Sequence, residues 1–391
     1  MKEFNAYFPT KLVVGTGRIS EVGTEMALLG TKVFGVFDPF LKDSEILGKI
    51  RQWLKESGLS LVEFYDVVPN PRYQDMDRGA ALCVENGCDC VLAIGGGSAI
   101  DTAKAITLAA KYGGSTWDYT KRYFELDKVK EPKQKGLPML AVPTTAGTGA
   151  EATLSSVVNN QELHVKCSII NPVLFPNTSI IDASMMYSVP PMLTALTGLD
   201  TFSHAFESYI STSANEFSEM LSLKSMELFV RSIRTAVHEP TNKEAREDMA
   251  LASALAGAAF CQASLCLPHA IAQPVGGLRD VPHGATLAIC MPPIIKWTLP
   301  YGQEKFAKVA ELLDPSVRDL PLEQKAQAIV PLFEQLYQDL GVTVKYGDYG
   351  LTEADIPELT DIVFDYYKWD LGGHPKPVTR EDVEELYRQC M

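Results

Sequence analysis

The chain of 391 residues has only six histidines, and its eight cysteines contain no Cys-x-x-Cys pair. Neither a four-cysteine zinc site nor the disulfide framework of a small secreted domain fits this pattern, so free thiols in a reducing compartment are expected. Basic residues are scarce: 35 Lys plus Arg face 49 Asp plus Glu, a net charge of −14. With no Lys/Arg run to offset it, that balance excludes a nucleic-acid partner. No uncharged apolar run reaches bilayer-spanning length, and Met1-Lys2-Glu3-Phe4-Asn5-Ala6-Tyr7 lacks a leader-like apolar core, so no membrane association and a cytoplasmic location are expected. Repeats and low-complexity tracts are also missing.

What remains is ordinary globular composition, 46% apolar and 21% charged, long enough for two cores. Up to about residue 185, short β-branched runs alternate with helix-like segments, the pattern of βα units around a mostly parallel sheet. The expected strands are Leu12–Val14, Val33–Phe37, Leu61–Tyr65, Val91–Ile94, Met139–Val142 and Ser179–Ile181. Met185 to Pro191 reads as a hinge, and beyond it the chain is helix after helix, including Phe217–Ile233, Glu244–Cys261 and Leu322–Leu340. Thr352 and Thr379 have the capping-box spacing that opens a helix. The expected division is therefore an α/β domain over residues 1–185 and an all-helical domain over 186–391, with the functional site in the cleft between them.

Half of the scarce histidines fall in one pattern. Asp200 and His204, four apart on a helix, aim a carboxylate and an imidazole from one face. His269 and His283 follow in Leu267-Pro268-His269-Ala270 and Val281-Pro282-His283-Gly284. One carboxylate and three imidazoles suit Zn(II) or Fe(II) and exclude the harder Mg and Ca. Taken alone, Asp200 and His204 read more readily as a hydrogen-bonded pair, and the downstream histidines carry the metal reading.

A second constellation lies upstream. Gly95-Gly96-Gly97-Ser98 follows an apolar run and precedes a helix-like segment, so backbone N–H groups and the helix N-terminus form an anion cradle for a diphosphate. A tight strand-to-helix turn is the plainer alternative. Gly15-Thr16-Gly17-Arg18-Ile19-Ser20 nearly completes a dinucleotide fingerprint, but Ser replaces the third glycine, and it reads as a turn. Asp38, ending the next strand, would accept hydrogen bonds from ribose hydroxyls and repel a 2′-phosphate, favouring NAD(H) over NADP(H). It could equally begin a turn with Pro39. Pro143-Thr144-Thr145-Ala146-Gly147-Thr148 supplies short hydroxyl donors after another strand.

Together, Thr197-Gly198-Leu199-Asp200 to His204, His269-Ala270, Pro282-His283-Gly284, Gly-Gly-Gly-Ser-x-x-Asp and Pro-Thr-Thr-x-Gly-Thr resemble the signatures of the iron-containing, or group III, alcohol dehydrogenases over nearly the whole chain. The resemblance implies a Rossmann-like dinucleotide-binding domain followed by an all-α domain, the dehydroquinate synthase-like architecture. It assigns Asp200, His204, His269 and His283 to the metal. It places Asn70, Gly95, Gly96, Gly97, Ser98, Asp101, Thr144, Thr145, Thr148 and Lys166 at the cofactor, with Ser155 where relatives carry an amide. Phe260 is expected to line the substrate pocket, and relatives' assemblies imply a homodimer or larger homo-oligomer.

The implied reaction is hydride transfer between NAD(H) and a short primary alcohol or aldehyde. Two departures bear on it. Family members usually read His-Ala-x-x-His, whereas here Gln273 stands in place of the second histidine, and an amide cannot be a general acid or base. Arg279 stands where an aromatic is usual. Its guanidinium would suit an aldehyde with an acidic group, unless it pairs with Asp280 or a neighbouring helix. A glycerol dehydrogenase-like polyol oxidoreductase and a non-catalytic NAD- and metal-binding relative are the alternatives.

Overall fold

In the computed structural model, which describes residues 3–391, the chain forms two compact units. The α/β unit comprises Phe8–Thr145 and Gly149–Tyr187, and the helical unit includes Ala146–Thr148 and Ser188–Met391. The α/β unit contains β1 (Lys11–Val14), β2 (Lys32–Phe37), β3 (Ser60–Phe64), β4 (Cys90–Gly95), β5 (Met139–Pro143), β6 (Ser155–Asn160), β7 (Val165–Ile170) and β8 (Thr178–Ile181). Its helices are α1 (Val22–Ala27), α2 (Glu45–Glu56), α3 (Tyr73–Glu85) and α4 (Gly97–Tyr112).

Six strands form one parallel sheet in the order β1-β8-β5-β4-β2-β3. The two-residue period of a strand divides each one between two cores. Val33, Phe37, Leu92, Ile94, Leu140 and Val142 pack on one side. Phe34, Val36, Val91, Ala93, Met139 and Ala141 pack on the other with Ala99, Ala103 and Ile106 of α4. Burial of both faces explains why these strands read as continuous apolar runs. β2 takes β3 on one side and β4 on the other. The crossover from β2 runs outward to β3, while that from β4 runs the other way to β5, so the carboxyl ends of β2 and β4 flank a topological switch point, the usual ligand position in such sheets.

All six expected strands form within a residue or two of their predicted bounds. The antiparallel pair β6 and β7 is additional. Gly15 (φ +140°) and Gly17 (φ +90°) do make a turn, leading into a short 3-10 helix, Arg18–Glu21.

The helical unit contains α5 (Pro191–Ile210), α6 (Glu216–His238), α7 (Lys243–Phe260), α8 (Leu267–Arg279), α9 (His283–Thr298), α10 (Gln303–Leu313) and α11 (Leu322–Leu340). After these come α12 (Ile356–Tyr366), α13 (Lys368–Gly373) and α14 (Arg380–Cys390). α5 is the central element, packed by α6, α7 and α9. Phe202 meets Phe206, Phe229 and Phe333 at ring-centroid distances of 5.8, 5.2 and 5.1 Å. Asn215, Asn242 and Thr379 cap α6, α7 and α14 through side-chain oxygens. The Thr352 box opens only a 3-10 turn, Glu353–Asp355, and α12 begins after it. No helix among the described residues is long and apolar enough to cross a membrane, and all eight cysteines are free.

Candidate active site

Because α5 is enclosed by other helices, its polar residues are buried with its apolar ones. Asp200 is 2% and His204 4% exposed. His269, in the first turn of α8, is 1% exposed. His283 opens α9. Gly284 permits that placement: a Cβ there would lie 2.8 Å from the Leu196 carbonyl oxygen, so a side chain would push the start of α9 away from α5.

These elements bring Asp200, His204, His269 and His283 together, with one ligand atom from each lying within 4.8 Å of all the others. Asp200 Oδ1 is 3.3 Å from His204 Nδ1 and 3.7 Å from His283 Nε2. Those separations bracket the edge of roughly 3.4 Å required by a tetrahedral ion with ~2.1 Å bonds. Asp200 Oδ1, His204 Nδ1 and His269 Nε2 are all buried without a hydrogen-bond partner. Buried polar atoms are nearly always satisfied, so three unpartnered atoms aimed into one cluster fit a cation-binding group. Burial raises the Asp200 carboxyl to about 7 and drives the His204 imidazole well below its ordinary value. Both shifts express the cost of charge without a counter-ion, and a bound dication would reverse that logic. The His283 side chain, 28% exposed, is the open side.

Around this cluster, Phe260 stacks on His204 with centroids 4.9 Å apart. Gln273 sits one turn beyond His269, 8% exposed, with Oε1 unpartnered. Arg279, for which the sequence left an acidic-substrate contact or a pairing open, has a protein partner. It is ion-paired with Asp355 in the 3-10 turn before α12, which is the pairing with a neighbouring element that the sequence also allowed.

In the α/β unit, Gly95 ends β4 at φ +159°, and a Cβ there would lie 2.6 Å from Ala99 Cβ and 3.0 Å from Asp38 Cβ. Only glycine fits. Gly96 is the N-cap of α4, and no side chain caps that helix, leaving the first-turn N–H groups of Gly97 and Ser98 available to an anion. Asp38 N–H donates to Ile94 O at 2.9 Å, and Thr144 N–H to Gly95 O at 3.0 Å, so these residues share one strand edge with Thr145. Asp38 does begin a turn, accepting from Phe40 N–H at 3.1 Å through Oδ1. The second oxygen lacks a protein donor among the described residues.

Other expected cofactor residues are held by neighbours. Lys166 on β7 donates to Asn70 Oδ1, and Asn70 adopts φ +52° between two prolines. Asp101 accepts from Val157 N–H at 3.0 Å, tying α4 to β6, and burial raises its carboxyl to about 6. Ser155 opens β6, and its carbonyl accepts from Lys104 Nζ at 2.8 Å. Thr148 belongs to the helical unit.

Sequence reasoning missed two side chains. Lys104 is fully buried and joins Thr153 to Ser155. Glu207 is fully buried and 2.6 Å from His269 Nδ1. The available signal was position: Glu207 extends Asp200 and His204 by one more turn on the same helix face.

Residues 9–183 match the family model for iron-containing alcohol dehydrogenase, and residues 194–391 match the C-terminal model of the same family. A 1,3-propanediol dehydrogenase of Klebsiella pneumoniae is 34% identical over 99% of this chain and 98% of its own length. An NAD-dependent methanol dehydrogenase of Bacillus methanolicus is 31% identical over 99% of this chain and 100% of its own. The solved structure of an archaeal alcohol dehydrogenase from a Red Sea brine pool superposes with a TM-score of 0.94 at 30% identity, covering 100% of both chains.

Proposed function

The chain belongs to the iron-containing alcohol dehydrogenase family, and from that premise we propose that it transfers hydride between NAD(H) and a short, uncharged primary alcohol or aldehyde. The observation that carries this reading is the convergence of Asp200, His204, His269 and His283 with three buried, unpartnered ligand atoms. These four residues would hold Fe(II) or Zn(II). When bound, such an ion supplies Lewis acidity that stabilises negative charge on an alcohol oxygen.

The remaining work falls to the chain itself. Gly95 and Gly96 bring backbone close to the diphosphate, and Asp38 offers a carboxylate oxygen to the adenosine ribose while repelling a 2′-phosphate. Phe260, stacked on His204, walls the pocket with an apolar face. Gln273 orients by hydrogen bonding and moves no proton, so protons exchange with water or ribose hydroxyls. The Arg279–Asp355 pair supports a neutral substrate, in keeping with the diol and methanol of the relatives' names. The working form in this reading is a cytoplasmic homodimer; β1 is an open sheet edge with β8 as its single partner, which suits self-association.

Purified protein is assayed for NADH and NADPH oxidation with short neutral and acidic aldehydes, with Fe(II) or Zn(II) added. The expected result is metal-dependent turnover of neutral aldehydes with NADH preferred. Bound NADH without turnover of any aldehyde would favour the non-catalytic alternative.

A further inference from the structure

A carboxylate buried without lysine or arginine beside it is costly unless every oxygen is engaged. Glu207 meets that condition. Its Oε1 accepts from Ser203 Oγ at 2.6 Å and lies 2.6 Å from His269 Nδ1. Its Oε2 accepts from the backbone N–H groups of Cys266 at 2.8 Å and His269 at 3.4 Å. No side chain caps α8, and Pro268 in its first turn has no N–H to donate. The carboxylate from α5 therefore takes the place of an N-cap, at the end of the helix where negative charge is favoured.

The same contact fixes the imidazole. A carboxylate can only accept, so the hydrogen in the 2.6 Å contact belongs to His269 Nδ1, and in the neutral imidazole that a metal ligand requires, Nε2 is then the lone-pair nitrogen. Nε2 is the atom that is buried and unpartnered among the cluster. We infer that Glu207 is a positioning residue: it holds His269 in the Nδ1–H tautomer and turns the Nε2 lone pair toward Asp200, His204 and His283, where a divalent cation binds. This rests on the metal reading above and adds the residue that makes the third ligand competent. Carboxylate–histidine–metal relays of this kind typically change metal affinity by about 10–100-fold when broken.

Because Glu207 also joins α5 to α8, the test separates positioning from scaffolding. In the zinc-loaded full chain with 15N-labelled histidine, long-range nitrogen–proton correlation is expected to show His269 protonated at Nδ1 with Nε2 bound to metal. A proton on Nε2, or zinc on Nδ1, overturns the proposal, and this readout needs no substitution. In parallel, metal-free wild type and Glu207→Gln are titrated with Co(II), following its visible absorption against a competing chelator. The expected loss is about 10–100-fold in Co(II) affinity with NADH binding unchanged, because the glycine turn lies in the other unit. Folded Glu207→Gln that binds Co(II) within about threefold of wild type contradicts the inference. If wild type takes up neither metal, the metal reading itself fails and this inference falls with it. Tight wild-type binding with the wrong tautomer sinks the inference alone.

Discussion

The two regions that carry the candidate site treat buried polar groups in opposite ways. In the helical unit, Asp200, His204 and His269 bury ligand atoms that no described residue satisfies. In the α/β unit, most expected cofactor residues have protein partners: Lys166 has Asn70, Asp101 has Val157, and one oxygen of Asp38 has Phe40. The first region is complete only with a cation in it, whereas the second is a finished wall whose reserve is backbone N–H at the start of α4. Metal should therefore matter to the integrity of its own surroundings, and the dinucleotide should bind a surface formed without it.

The largest expected effect falls on the unsatisfied region. Asp200→Ala should lower kcat by about a thousandfold, the scale of losing Lewis-acid stabilisation, and abolish stoichiometric metal while leaving NADH binding intact. Coupled loss of NADH binding would break the distinction between the two regions. Next, Gly95→Ala should weaken NADH binding by about 10–100-fold, as overpacking against Ala99 costs on the order of 1–3 kcal/mol, with metal content unchanged by elemental analysis.

Acidity should sharpen the comparison at buried positions in the two units that respond with opposite signs. In the helical unit, His374 is buried and its imidazole is lowered to about 3 by burial. Its contribution is present above the unfolded value near 6.5 and is lost as pH falls toward 3. In the α/β unit, burial raises Asp101 to about 6 and Glu151 to about 7. Their contribution is present near pH 4 and is lost as pH rises through 6 to 7. Hydrogen exchange across this range should show protection at the end of α9, where Thr298 meets His374, falling on acidification and protection in α4 falling on alkalinisation. Parallel changes at the end of α9 and in α4 would contradict this assignment. The smallest effect is reserved for Arg279→Ala: its exposed pair with Asp355 is worth about 0–1 kcal/mol, and the ratio of rates on acidic and neutral aldehydes should not move.

Legibility in the sequence followed the range of the interaction. The parallel strands were readable because burial on both faces leaves runs such as Val91 to Ile94. The four metal-group residues were readable because histidine is rare here and Asp200 and His204 have helical spacing. Glu207 was not, since a glutamate three residues past a histidine looks like any charged helix position and its partner lies 62 residues away. For the same reason the partner of Arg279 could not be named from the sequence, its acid being 76 residues distant. The β6–β7 hairpin escaped because Asn159 and Asn160 are poor strand formers, and its register comes from pairing and from the Asp101–Val157 bond.

The central claim is that four side chains from α5, α8 and α9 converge on one cation. Anomalous scattering from crystals of the metal-loaded chain, collected across the iron and zinc absorption edges, tests it most directly by giving the position and the element together. The predicted result is a single peak about 2.0–2.3 Å from ligand atoms of Asp200, His204, His269 and His283. A metal-loaded crystal with its peak elsewhere, or with His269 turned out of the cluster, would contradict it.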